Sequence, residues 1–355
     1  MSIARLHKTY GGHQVVRNLD IDPYNPLNLP PYTIRLEFSP GITAINPPKG
    51  QITQVSQNPN QWDLTYEDAN WDELCRHDAT GILHIESVVG ANTQGVTSMS
   101  ALFNGQSEIE SCSVFDTRSV VNMDDMFLGN TQLPYAPALD THNVTSMSAM
   151  FYQCWDLSAF PDYDYSNVQH INLCFNGCGK ISAVPDVNIS AVISADGLFN
   201  GCTGLTSVDG LNLASLQTAY GLFQECTALK TINLYNTDNI TNINNMFYRC
   251  YSLEQMPVTD MPNLVRARYA FSDCTSFTAL PQINMPKLYS VDYMFNGCVN
   301  VESGLLDMYN YMKTGTQGGT GYGDHNNTFK DCGINTQQGE AELAQIPTSW
   351  GGTLE

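Results

Sequence analysis

Cysteine is the residue type with the most chemical potential in this chain, and eight of its eleven copies follow a phenylalanine by three positions. Cys154, Cys178, Cys202, Cys226, Cys250, Cys274 and Cys298 recur every 24 residues, and Cys332 holds the same place after Phe329. If the units stack about 4.8 Å apart, as neighbouring strands do, such a column could form a redox-sensitive ladder of disulfides. The fixed spacing favours a plainer role as buried, small apolar side chains. On that reading Cys226→Ser leaves a hydroxyl without a partner, at a cost on the order of 1 to 3 kcal/mol. Metal binding is poorly served, because three residues rather than two separate Cys174 from Cys178 and no histidine cluster accompanies them.

A second polar column comprises Asn92, Asp116, Asp140, Asp164, Asn188, Asn212, Asn236, Asp260 and Asn284. Asn and Asp at such positions ordinarily bind turn backbone. The alternative is a calcium site at Asp116, Asp140 and Asp164, where stacked carboxylates would otherwise have raised pKa values. The glycine-rich KTGTQGGTGYGDHNN (313–327) could suggest a phosphate cradle. Neither a GK[ST] sequence nor a strand-to-helix context frames it, so a surface loop is expected. No HExxH, GxSxG, Walker loop, CxxC or EF-hand loop occurs, and the histidines are scattered. No catalytic, cofactor or metal site is therefore expected, and an enzyme is the least favoured class.

The elements that would position these columns are repeats. Phe103, Phe127, Phe151, Phe175, Phe199, Phe223, Phe247, Phe271 and Phe295 stand 24 residues apart and serve as structural anchors. An aliphatic residue precedes each by seven positions, from Val96 to Leu288, and an apolar residue follows each by six, from Ile109 to Val301. Within a unit, LKTINL alternates like a short strand, Tyr235 to Asn239 is rich in turn formers, and Ile240, Ile243, Met246 and Phe247 have the spacing of one helical face. The fold class expected is α/β: a leucine-rich-repeat solenoid with a parallel β-sheet about 40 Å long on one face and short helical turns on the other, preceded by a small β module.

Four parts follow. Residues 1–70 form a small β-rich attachment module containing the alternating YTIRLEF and the segments QVVRNLDI, GITAI and QITQVS. Residues 71–95 hold an amino-terminal cap, with WDELCRH as a short helix, and a partial repeat carrying Ile85, Val88 and Asn92. Residues 96–311 hold nine 24-residue repeats, ending where GLLDMYNYMK reads as a true helix. Residues 312–355 hold the glycine-rich insertion and a carboxy-terminal cap, because TFKDC arrives 34 residues after the last phenylalanine rather than 24.

The pattern V-T-x-M-x-x-M-F-x-x-C-x-x-L, plainest in VTSMSAMFYQCWDL (144–157), resembles the BspA-like leucine-rich repeats, the surface-protein 26-residue repeat group, over roughly residues 80 to 311. The ending AELAQIPTSWGGTLE resembles the cap of phage and Bacteroidales members. The resemblance implies binding to host matrix, proteins or glycans, as bacterial surface adhesins or phage-encoded relatives do.

The charge narrows the partners. A net charge of −20 repels nucleic acid and anionic lipid. No stretch approaches the roughly 20 apolar residues that span a bilayer, and MSIARLHKTYGGHQ lacks the apolar run of a secretory signal. The expected partners are a protein or glycan on a cell surface, other virion proteins through residues 1–70, and further copies of the chain. The expected address is a virion surface after synthesis in the host cytoplasm, with a bacterial cell surface as the alternative. The candidate binding face is the outward side of the strands, at Tyr135, Ser182, Thr206, Thr231, Asn233, Gln255 and Thr278. Its flat, polar, weakly charged character suits a protein or glycan.

Overall fold

The structure is a computed structural model that describes residues 27–38, 51–55, 60–66, 71, 85–113, 116–255, 257, 260–314 and 324–355. The helix expected at WDELCRH, the strands expected in QVVRNLDI and GITAI, and most of the glycine-rich insertion lie outside them.

The phenylalanine column organises the interior. Ten rings, from Phe103 through Phe295 to Phe329, form one continuous stack. Neighbouring centroids in the middle, Phe199 to Phe223 and Phe223 to Phe247, are 5.5 Å apart with planes within 9°. One buried ring per rung at the rung spacing is what a 24-residue repeat produces when each unit stacks on the next. The interval from Phe295 to Phe329 keeps the stack at 5.9 Å, so the ten extra residues leave the column undisturbed. Trp350 then closes the carboxy end: its ring lies 6.4 Å from that of Phe329, and its carbonyl accepts the Phe329 N–H at 2.8 Å.

The segment around each phenylalanine is not helical, contrary to the sequence expectation. The N–H groups of Met99, Ala101, Phe103 and Gly105 leave their own unit and donate to the carbonyls of Asn122, Asp124, Met126 and Leu128 at 2.7 to 3.0 Å. The intervening N–H groups of Leu102, Asn104 and Gln106 fold back on Met99, Ala101 and Phe103. This alternation needs a left-handed residue every fourth position, as at Ala101 (φ 53°) and Gly105 (φ 79°), Leu173 and Gly177, or Asn245 and Arg249. A right-handed helix cannot accommodate positive φ at that frequency, and it would keep every N–H within its own segment. The apolar spacing that suggested a helical face instead marks the inward positions of consecutive tight turns. At Gly201 (φ 73°) an added Cβ would meet Gly177 only at ordinary contact distance, 3.6 Å. Gly201→Ala is therefore expected to cost about 1 to 2 kcal/mol through backbone conformation alone, measured by denaturant melts. A neutral result would show that this backbone relaxes freely.

The strand side is less continuous than expected. Strands β1 (Thr33–Phe38), β2 (Gln51–Gln54), β3 (Gln61–Thr65), β4 (Ile85–Asn92) and β5 (Ser111–Cys112) form one sheet, ordered β2-β3-β1-β4-β5. Strands β6 (Ala183–Val184), β7 (Ser207–Asn212) and β8 (Thr231–Tyr235) form a second, parallel sheet. A column of prolines explains the gaps. Pro137, Pro161, Pro185, Pro257 and Pro281 occupy the position that Asp209 and Asn233 hold in the two longest repeat strands, and proline brings no N–H to a ladder.

β4 is the first rung, parallel to β5 in the 24-residue register Val88 to Cys112. Its outer edge is covered by β1, antiparallel from Thr33 opposite Asn92 to Phe38 opposite Ile85. With Ile34, Leu36, Phe38 and Leu64 buried, the described strands of the 1–70 segment close the amino end of the stack. At the other end α1 (Leu305–Lys313) forms where the sequence predicts a helix, burying Leu305, Met308 and Met312. It touches α2 (Gln337–Leu343), whose amino end is capped by the Thr336 hydroxyl.

Candidate binding faces

The cysteine column is fully interior, yet it is not chemically idle. The thiols of Cys154, Cys178, Cys202, Cys226 and Cys250 each donate to a phenylalanine carbonyl of the preceding rung at 3.1 Å, as Cys226 does to Phe199. Asn130 fills the same position earlier in the array, and its amide donates to Phe103 O at 2.8 Å. The column thus requires a small donor as well as a small volume. All ten described cysteines are free thiols. Burial pushes the Cys202 thiol up to about 12 and those of Cys154, Cys226 and Cys250 well up also. Such groups are unreactive rather than nucleophilic. The partnerless hydroxyl expected for Cys226→Ser does not follow, because serine retains a donor beside Phe199 O. Cys226→Ala should cost more than Cys226→Ser by roughly 1 kcal/mol, the worth of an ordinary buried hydrogen bond, in paired denaturant melts. Equal costs would mean that only volume matters there.

The Asp/Asn column binds its own turns. One carboxylate oxygen each of Asp116, Asp140 and Asp164 accepts the N–H two residues on, from Arg118, His142 and Ser166, at 3.0, 3.2 and 2.9 Å. Asn188 and Asn212 do the same for Ser190 and Ala214. The Arg118 guanidinium, hydrogen-bonded to Asp116, holds that carboxyl below its ordinary range, and hydrogen bonds from Ser166 lower Asp164. Asp116 and Asp164 thus shift opposite to the upward direction that stacking of carboxylates would produce. Among the described residues no three His, Cys, Asp or Glu side chains gather closely enough to hold a metal ion.

Two outward faces remain. On the strand side Tyr135, Ser182, Thr206, Thr231, Asn233, Gln255 and Thr278 are all exposed. Ser182 and Thr206 hold equivalent places on consecutive rungs, tied by Thr206 Oγ1 donating to Ser182 O at 2.9 Å, whereas Thr231 pairs with Ser207 in the parallel register of β7 and β8. Of these seven residues only Thr231 and Asn233 lie within a strand, and Tyr135 stands two rungs before Ser182.

The turn side carries a feature the sequence reading missed. Two adjoining grooves run along the carboxy-terminal units. One, of about 540 Å³, is lined by amides and hydroxyls, including Gln217, Asn239, Thr241 and Asn263, and ends at Lys287. The other, of about 380 Å³, is lined by Asn242, Asn244, Arg266, Arg268 and Tyr289 among others, and Val265 belongs to both. Arg268 is paired with Asp292 at 3.0 Å. The signal was present: Arg249, Arg266, Arg268 and Lys287 cluster in a short stretch of a chain with only fifteen basic residues.

Stacked 24-residue rungs with apolar columns inside and parallel strands on one side define a leucine-rich-repeat protein. Residues 77–188 and 193–309 match the family described as "Mycoplasma protein of unknown function, DUF285", and the chain belongs to that family. No curated protein matches it. Among solved structures it is similar to a leucine-rich repeat protein of T. pallidum, at 22% identity and TM-score 0.38 over 47% of this chain and 78% of that one. It is also similar to a leucine-rich repeat protein from Bacteroides ovatus, at 15% identity and TM-score 0.32 over 66% and 87%. A third, from Eubacterium ventriosum, shows 14% identity and TM-score 0.33 over 72% and 87%.

Proposed function

We propose that this protein is a non-enzymatic binding protein that presents its repeat surface to a protein or glycan on a cell surface, displayed on a bacteriophage virion as a fibre, decoration or receptor-binding component. The observation that carries the binding reading is the exposed, polar strand side, where Ser182 and Thr206 hold equivalent places on consecutive rungs and Thr231 follows on the next. Such a face offers hydrogen-bonding side chains, and a stacked array extends it along its length. The virion address draws on the resemblance of the chain's ending to phage-encoded members. In it, residues 1–70 serve two purposes: the described strands close the stack, and the segment attaches to other virion proteins. Among the described residues no helix is long and apolar enough to cross a membrane.

Mass spectrometry of purified particles, together with surface labelling of the producing cells, tests the address. The expected result is the protein in the particle and not on the cell. Its absence from particles with labelling at the cell surface would replace this reading with that of a bacterial adhesin.

A further inference from the structure

The grooves on the turn side bring together two cations that no described carboxylate neutralises. Among the described residues the Arg266 guanidinium meets no carboxylate, and the Lys287 ammonium meets only the Asn263 amide oxygen, at 2.5 Å. In a chain of net charge −20 such groups would be expected to find acidic partners within the protein. Asp324, which lines the second groove, sits 3.4 Å from the Ser290 hydroxyl rather than in an ion pair. Beside Arg266 the ring of Tyr289 is 45% exposed and lines the same groove.

The floor decides what kind of anion fits. The rungs beneath are already saturated by one another: Thr241 N–H donates to Gln217 O, Val265 N–H to Thr241 O, and Tyr289 N–H to Val265 O, each at 2.9 Å. A peptide therefore finds no free strand edge to extend, which removes the main source of affinity for an extended chain. What the grooves do offer is side-chain amides and hydroxyls, an aromatic ring and two cations. We propose that they form a binding site for an acidic saccharide, with uronate carboxylates at Arg266 and Lys287, sugar hydroxyls on the amide floor, and a sugar ring against Tyr289. The site is separate from the strand face, and its biological use rests on the binding-protein reading above.

The test is calorimetric titration of the full chain with a galacturonate hexasaccharide, its neutral methyl ester, and a poly-glutamate of matched charge. The expected result is binding of the hexasaccharide alone, weakened about tenfold or more by Arg266→Ala with Lys287→Ala, weakened by Tyr289→Ala, and unchanged by Tyr135→Ala. All the substituted side chains are exposed, and melts matching the parent protein confirm that the variants fold. Equal binding of the methyl ester would overturn the role of charge, and equal binding of poly-glutamate would overturn the saccharide. No binding, or no loss in the double variant, overturns the site. If the titration fails while the protein is found on particles, only this inference falls. If the protein is absent from particles but the titration succeeds, the site stands and the virion reading falls.

Discussion

Phe223→Ala is expected to split the array into two halves that exchange hydrogen independently. Phe223 has no solvent exposure and is sandwiched between Phe199 and Phe247 at 5.5 Å on each side. Truncating a fully buried phenylalanine costs roughly 3 to 5 kcal/mol. Here the loss falls at two interfaces at once, since the ring stacks on one neighbour on each side. The backbone bonds that cross the same interfaces, such as Phe199 N–H to Leu222 O and Phe223 N–H to Met246 O, lose the packing that aligns them. Phe103→Ala removes the first ring of the stack, which stacks on Phe127 and lies between β4 and β5 in the chain. It should fray the amino-terminal units and leave the rest protected. Hydrogen exchange read by mass spectrometry across both variants separates the outcomes. A uniform loss of protection, the same in the two, would mean a single cooperative core and would sink the rung-by-rung account.

What the sequence revealed and what it concealed follow from how many columns each feature needs. The phenylalanine and aliphatic columns are single-residue periodicities, so the stack, its 24-residue register and its resumption at Phe329 were legible without coordinates. The turn segment was misread because inward positions at i, i+3, i+6 and i+7 fit a helix as well as a chain of tight turns. The distinguishing signal was the left-handed column, occupied by Gly105, Gly129, Gly177, Gly201 and Gly297, but hidden where Gln153, Glu225, Arg249 or Asp273 adopt the same conformation. The sheet was overextended although its interruption was written in the proline column from Pro137 to Pro281. As residues without an N–H to donate, those prolines mark where pairing stops. The hydrogen-bonding role of the thiols had its own clue in Asn130, a polar side chain in a column otherwise taken for apolar. The grooves were the hardest to see. They combine residues from four rungs and two or more columns, and no single period displays them.

Raising the pH above 9 is expected to unfold the array with a steepness set by the number of buried thiols. Burial raises the thiols of Cys154, Cys178, Cys202, Cys226, Cys250 and Cys274 above the ordinary value of 9.0, that of Cys202 to about 12. Below 9 these groups are neutral in both folded and unfolded chains, and their contribution to stability is fully present. Above 9 the unfolded chain releases protons that the folded chain retains, so stability falls as pH rises towards the folded values. Each thiol loses about 1.4 kcal/mol by pH 10, and six together lose about 8 kcal/mol, a large part of the roughly 5 to 15 kcal/mol that holds a domain together. A thiolate buried among phenylalanine rings and facing a carbonyl oxygen is strongly disfavoured, so ionisation must follow opening of the rungs. Circular dichroism should therefore lose its signal cooperatively near pH 10 under reducing conditions. Pulse alkylation with iodoacetamide, counted by mass spectrometry, should label these cysteines over the same interval and not before. Labelling of the column near pH 9 while the dichroism stays native would show that the thiols are reached in the folded stack, and that the column is not the sealed seam its hydrogen bonds describe.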